Sequence, residues 1–142
     1  MKKMKNLVLL IFSLLVLVSC GDKDSKKSEK ENTEITQEQN SGVNVYYFHG
    51  NQRCKTCIAV QDLTKATIEK TYPNTEVRFI EVNTSEKENE ALVEKYEVSW
   101  NALIIEKGEN SEDLTEQAFA LAVNSPKELE KIIIEAVDRY KN

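Results

Sequence analysis

The stretch VNVYYFHGNQRCKTCIAV, Val43 to Val60, decides the fold. Val43 to Phe48 is β-branched and aromatic and mostly apolar on both faces, which predicts a buried central strand. His49-Gly50-Asn51-Gln52-Arg53 then supplies loop and turn residues. A helix is predicted from about Cys54 to Thr71. Ala59, Leu63 and Ala66 line one face at helical spacing, with Val60 and Thr67 flanking it. Tyr72-Pro73-Asn74 ends it. A strand that runs through a short loop into a helix opens an α/β arrangement.

Downstream, the alternation continues. Val77 to Val82, VRFIEV, reads as a second strand. Ser85 and Glu88 have the spacing of a capping box, and a helix through Ala91, Leu92, Val93 and Tyr96 follows. Ala102 to Ile105 is a third apolar strand, ended by Lys107-Gly108. Residues 110–123 read two ways, as a fourth strand near Leu114 or as a helix over Ala118 to Val123. Ser125 to Glu128 has capping-box spacing again, with Pro126 at the first helical position. Leu129, Ile132, Ile133, Ala136, Val137 and Tyr140 then form one apolar stripe. The expected fold is α/β, a sheet with helices on both faces, over residues 43–142.

Upstream lies a different kind of sequence. Lys2, Lys3 and Lys5 precede a run from Leu7 to Val18 that is apolar except for Ser13. That is short for a membrane span and has the form of a secretory signal peptide. The run ends Leu17-Val18-Ser19-Cys20, which resembles the lipobox of bacterial lipoproteins. The resemblance implies cleavage after residue 19, a diacylglycerol thioether on Cys20, and a membrane-anchored chain facing the periplasm or the cell exterior. An uncleaved signal-anchor helix is the alternative. Residues 20–42 are polar and of mixed charge, with Ile35 as the only aliphatic residue from Gly21 onward. They cannot bury enough apolar surface to offset ordering, so a disordered, lipidated tether is expected rather than a binding tail.

The chain has 142 residues and a net charge of −5, and removing residues 1–19 takes away three lysines and no acid, which leaves −8. No cationic excess is available to neutralise phosphates, so a nucleic-acid partner is excluded. The one long apolar run rules out a multi-span membrane protein.

Of the three cysteines, the lipid would take Cys20. Cys54 and Cys57 remain, and an even remainder in an exported chain suggests a redox pair. Cys54 is predicted at a helix N-terminus, where free N–H groups and the helix dipole favour an anion. Arg53 and Lys55 add positive charge, and each effect favours the thiolate, which is the nucleophile. Cys57 falls about one turn later on the same face.

A Cys-x-x-Cys that opens a helix after an apolar strand resembles the thioredoxin family. The stretch VRFIEVNTSEKENEALVEKYEVSWNALIIEKG, residues 77–108, is similar to the thioredoxin middle in its order of strand, short helix, Tyr-x-Val step, apolar strand and glycine turn. The resemblance implies a thioredoxin-like sheet with flanking helices, Cys54 as nucleophile and Cys57 as resolving thiol. It also implies a thiol- or disulfide-containing protein partner. No cofactor is expected. Three positions depart from the family pattern. The stretch Val98 to Leu103 lacks the proline that precedes the third core strand, Phe48 stands where a carboxylate lies six residues before the first cysteine, and Arg53 replaces a tryptophan.

His49 is the only histidine. It is a candidate proton acceptor for the resolving thiol, since an imidazole titrates near neutrality. Alternatively it is a third ligand, with Cys54 and Cys57, for a soft metal such as Cu(I), or only a partner for local backbone groups. Trp100 is expected to fill the core rather than lie over the cysteines. Three functions remain open from these residues: a thiol–disulfide oxidoreductase, a metal-binding module, and a non-catalytic interaction domain with a structural disulfide.

Overall fold

A computed structural model of the chain describes residues 42–74 and 76–142. The expected signal peptide (1–19), the expected lipidation site Cys20 and all but the last residue of the expected tether lie outside the described residues. Strand β1 (Val43–His49) leads into helix α1 (Lys55–Thr71) and strand β2 (Val77–Asn83). A 3₁₀ turn (Lys87–Asn89) and the short helix α2 (Glu90–Lys95) follow. Strands β3 (Ala102–Lys107) and β4 (Asn110–Asp113), then helices α3 (Thr115–Leu121) and α4 (Pro126–Lys141), complete the order.

The four strands form one sheet in the order β2-β1-β3-β4. β1 pairs with β2 in parallel and with β3 antiparallel, and β4 pairs antiparallel with β3. A parallel βαβ unit thus meets an antiparallel ββα unit at the centre of the sheet. This is the thioredoxin-like α/β arrangement anticipated from the order of elements. β1 lies between two neighbours, and its two faces pack into the two separate clusters of the core, as its apolar composition requires.

Strand alternation divides the core in two. Val43, Val45 and Tyr47 of β1, with Leu103 and Ile105 of β3, face α1, α3 and α4. Tyr46 and Phe48, with Ala102, Ile104 and Val82, face the α2 side, where Leu92, Val93, Tyr96 and Val98 pack against them. From α4, Leu129, Ile133, Ala136 and Val137 are fully buried, and Ile132 and Tyr140 pack at the margin, so the predicted stripe faces the core. Burying each large aliphatic side chain contributes about 1.5–3 kcal/mol. β4 is a short edge of Asn, Ser, Glu and Asp, a composition that discourages further strand addition.

The structure corrects several local expectations. The buried side of α1 is Cys57, Val60, Thr64, Thr67 and Ile68, and Ala66 is exposed. The small alanines mimic a face, but the bulkier Val60 and Ile68 win the core positions because they bury more apolar area. Neither capping box forms. The Ser85 amide donates to Asn83 Oδ1, and the helical turn begins two residues later, at Lys87. At α4 the Ser125 carbonyl accepts the first backbone bonds, from Glu128 and Leu129, and its hydroxyl caps nothing; Pro126 does occupy the helix start. Residues 110–123 contain both alternatives in succession, β4 and then α3.

α2 ends in a paired-carbonyl cap. The Glu97 amide donates to the Glu94 carbonyl and the Val98 amide to the Val93 carbonyl. Glu97 itself takes φ 51°, the left-handed conformation such a cap needs. This reverses the chain and delivers residues 98–101 to the start of β3. Gly108, at φ 62°, makes the β3–β4 turn.

Glu106, buried near the end of β3, accepts from Lys95 of α2 and from Asn44 Nδ2. Burial pushes its carboxyl up, but hydrogen bonds from Lys95 and Asn44 outweigh that, and it titrates below the ordinary carboxylate range. A carboxyl held low in the folded chain contributes stability that is complete above its unfolded pKa, about 4.3, and is lost as pH falls through the folded value. Glu106→Gln is therefore expected to unfold at lower urea than wild type at pH 7, with the gap closing below about pH 4. Urea midpoints at pH 7, 5, 4 and 3 check this.

Candidate functional site

The cysteine pair sits where β1 hands over to α1. Cys54 is the N-cap of α1, with extended backbone (φ −92°, ψ 162°), and its Sγ accepts a hydrogen bond from the Cys57 amide at 3.0 Å. A sulfur thus occupies the place of the oxygen that usually caps a helix. The first turn of α1 carries no acidic residue, so no carboxylate opposes the positive end of the helix dipole. Cys54 and Cys57 are joined by a disulfide, with Cα atoms 5.0 Å apart. The two sulfurs differ in access: Cys54 is exposed, whereas Cys57 is only 4% exposed. An incoming sulfur can therefore reach Cys54 and not Cys57.

The strand beneath the pair presents an unanticipated residue. Phe48 faces the opposite, α2-side core. Tyr47 faces α1 instead, fully buried, and its hydroxyl donates to the Cys57 carbonyl at 2.7 Å. Side-chain alternation explains the correction: one residue's difference in loop length exchanges the two faces of a strand. Burial pushes the Tyr47 phenol up to about 12, so it stays a donor throughout the neutral range. Tyr47→Phe keeps the ring and loses only this bond. We expect a destabilisation of about 1 kcal/mol, read from the urea midpoint of the oxidised chain.

His49 is buried and closes the end of β1. Its Nδ1 lies 2.9 Å from the Gly50 carbonyl oxygen and its Nε2 2.8 Å from Glu81 Oε1. Both ring nitrogens are thereby engaged by oxygens. The alternative reading of His49 as a third metal ligand beside Cys54 and Cys57 gains no support: among the described residues no group of three or more His, Cys, Asp or Glu side chains could hold a metal ion. The carboxylate of Glu81 competes for the imidazole.

Glu81 was not singled out by sequence, yet it is the hub of the polar groups here. It stands on β2 directly beside Tyr47 in the parallel register. Its Oε1 meets His49 Nε2 and, at 3.4 Å, Arg53 Nη1, and its Oε2 accepts from Gln61 Nε2 at 3.0 Å. Arg53 also donates to Gln61 Oε1. Arg53, expected to lend its charge to the neighbouring sulfur, is thus paired with a carboxylate. Lys55 is exposed at the first helical position. A lone carboxylate in the VRFIEV strand, whose other charged residue is Arg78, was the one signal in the sequence that pointed to Glu81.

The segment before β3 reaches the same end of the sheet, because Phe48 pairs with Ala102 and the strands run antiparallel. Trp100 is 79% exposed there, which overturns the expectation that it fills the core. The cap at Glu97 turns residues 98–101 across the sheet end, where Leu92, Val93, Tyr96 and Val98 already complete the α2-side core and leave the indole outside. Ile58, the residue after Cys57, is also exposed. Among the described residues every peptide bond is trans.

No protein-family model matches the chain, and no curated protein matches it. Solved structures do. One described as the structure of a malarial protein shares 21% identity over 68% of this chain and 97% of its own, with a TM-score of 0.44. Mitochondrial thioredoxin 3 from Saccharomyces cerevisiae, in its oxidized form, shares 22% identity over 68% of this chain and 80% of its own, with a TM-score of 0.45. Trxlp from Edwardsiella tarda EIB202 shares 14% identity over 66% and 82%, with a TM-score of 0.44.

Proposed function

We propose that this chain is a membrane-anchored, extracytoplasmic thiol–disulfide oxidoreductase that acts on a thiol- or disulfide-containing protein through Cys54 and Cys57. One observation carries the reading: an exposed sulfur caps a helix and accepts a backbone N–H, while its partner sulfur lies buried one turn away. The cap and the dipole favour the Cys54 thiolate, and the difference in access supports Cys54 as the attacking sulfur and Cys57 as the resolving one.

In the reducing direction the Cys54 thiolate attacks one sulfur of a substrate disulfide. A mixed disulfide forms, and the other substrate sulfur leaves as a thiolate that takes up a proton. The Cys57 thiol then loses its proton and attacks the Cys54 sulfur. The Cys54–Cys57 disulfide forms, and the second substrate sulfur departs as a thiol. Two electrons pass from the pair to the substrate, and a dithiol protein must restore the pair. The oxidising direction is the same sequence reversed, and the relative reduction potentials decide between them.

Support for the location comes from the sequence alone: the basic start, the apolar run and the lipobox-like Leu17 to Cys20. The reduced chain, mixed with a small model disulfide, is expected to release thiol through Cys54. If Cys54→Ser released it as fast as wild type, the reading would fall.

A further inference from the structure

We propose that Glu81 is a positioning residue that engages the Arg53 guanidinium, offsets its charge beside Cys54, and so restrains the ionisation of that sulfur. The proposal deepens the redox reading, which supplies the reason for ionisation to matter.

The argument starts from three donors and one carboxylate. His49 comes from the end of β1, Arg53 from the loop before Cys54, and Gln61 from the second turn of α1. All three converge on Glu81 of β2. Arg53 is bound twice, to Glu81 and to Gln61, and Gln61 is itself bound to Glu81. The guanidinium is therefore held in a closed ring of partners rather than free to swing toward the adjacent residue. Glu81 and Arg53 also act together on their surroundings: their charges push the Tyr47 phenol in opposite directions, Arg53 down and Glu81 up, beneath the larger effect of burial.

A cation next to a thiol favours the thiolate, and a carboxylate paired with that cation cancels most of the effect. Lys55, the charged residue on the other side of Cys54 along the chain, is exposed and screened by water. The Arg53–Glu81 pair, with side chains 27% and 41% exposed, is partly shielded and is the arrangement most able to tune the sulfur. Removing the carboxylate leaves Arg53 uncompensated.

The test is alkylation of the reduced full-length chain in detergent by iodoacetamide, from pH 5 to 10, read at Cys54 by mass spectrometry of its peptide. Glu81→Gln is expected to raise the Cys54 rate at pH 7 by about fivefold and move the profile to lower pH. Adding Arg53→Gln is expected to return the rate to within about twofold of wild type. Arg53→Gln alone, at an exposed loop position that should not disturb folding, is expected to change the rate by less than about twofold, since its charge is already offset. An unchanged rate in a Glu81→Gln chain that melts like wild type overturns the proposal. So does acceleration that survives Arg53→Gln, or a fivefold loss in Arg53→Gln alone. Alkylation needs no exchange activity. A chain that alkylates as described but releases no thiol from a disulfide would overturn the redox reading and leave this one standing.

Discussion

Cys54→Ser is expected to reduce disulfide exchange to the background of the uncatalysed reaction, whereas Cys57→Ser is expected to stall it as a mixed disulfide. The difference follows from access. Cys57 is buried and its carbonyl is held by Tyr47, so it cannot substitute for the exposed Cys54 as the attacking group. Serine offers no thiolate, and a hydroxyl does not attack sulfur at neutral pH. With Cys57 replaced, Cys54 still attacks, but the mixed disulfide has no neighbour to resolve it. It should accumulate with one substrate per chain, visible as a shifted band on a non-reducing gel that collapses on reduction. Both variants should fold. The loop that the disulfide closes spans a separation of only three residues, so its loss costs about 2 kcal/mol relative to the oxidised chain and nothing relative to the reduced one. Equal trapping by Cys54→Ser and Cys57→Ser, or trapping by neither while wild type turns over, would contradict the assigned order of attack.

The parts of the fold that were legible in the sequence are those where composition and period agree. Val43 to Phe48 is apolar on both faces because β1 is central and both faces are packed. The α4 stripe is continuous because one face of that helix closes the core over α1. Where a residue pattern admitted two local solutions, tertiary contacts decided. Ser85 and Ser125 have the right neighbours for capping boxes, but the Ser85 amide is taken by the Asn83 carboxamide, the helical turn starts only at Lys87, and the Ser125 hydroxyl caps nothing. Residues 110–123 carry both strand and helix character because both are used, within a span too short for either period to establish itself.

The site was legible only along the chain. Cys54, Cys57 and their helix start are local facts, and periodicity places them well. Tyr47 and Glu81 depend on which face of a strand points at α1, which one residue of loop length reverses. Spacing from Cys54 selected Phe48, and counting cannot see that reversal. Arg53 looked like a free cation for the sulfur because its partner lies 28 residues away on a neighbouring strand. Trp100 looked like core because large aromatics usually are, and its exposure follows from a backbone cap at Glu97 that no propensity scale anticipates.

The second large effect concerns where the chemistry takes place. Cys20→Ser is expected to move the chain from the membrane fraction to the soluble fraction, or to leave it as an unprocessed precursor of higher mass. The argument is thermodynamic. Each buried methylene contributes about 0.8 kcal/mol, so one acyl chain binds marginally, whereas the proposed diacylglycerol on Cys20 would supply two chains and hold stably. Serine cannot form the thioether, and a chain cleaved after residue 19, at −8, would have no cationic surplus to hold it to an anionic membrane instead. Among the described residues, no helix is long and apolar enough to cross a membrane. The disulfide chemistry should survive the change in solution, because Cys54 and Cys57 lie in a sheet-and-helix unit whose core, among the described residues, is built from Val43 onward. Fractionation with an intact-mass measurement reads both outcomes. A Cys20→Ser chain that is processed and still sediments with membranes would remove the lipid anchor from the proposal while leaving the thiol chemistry intact.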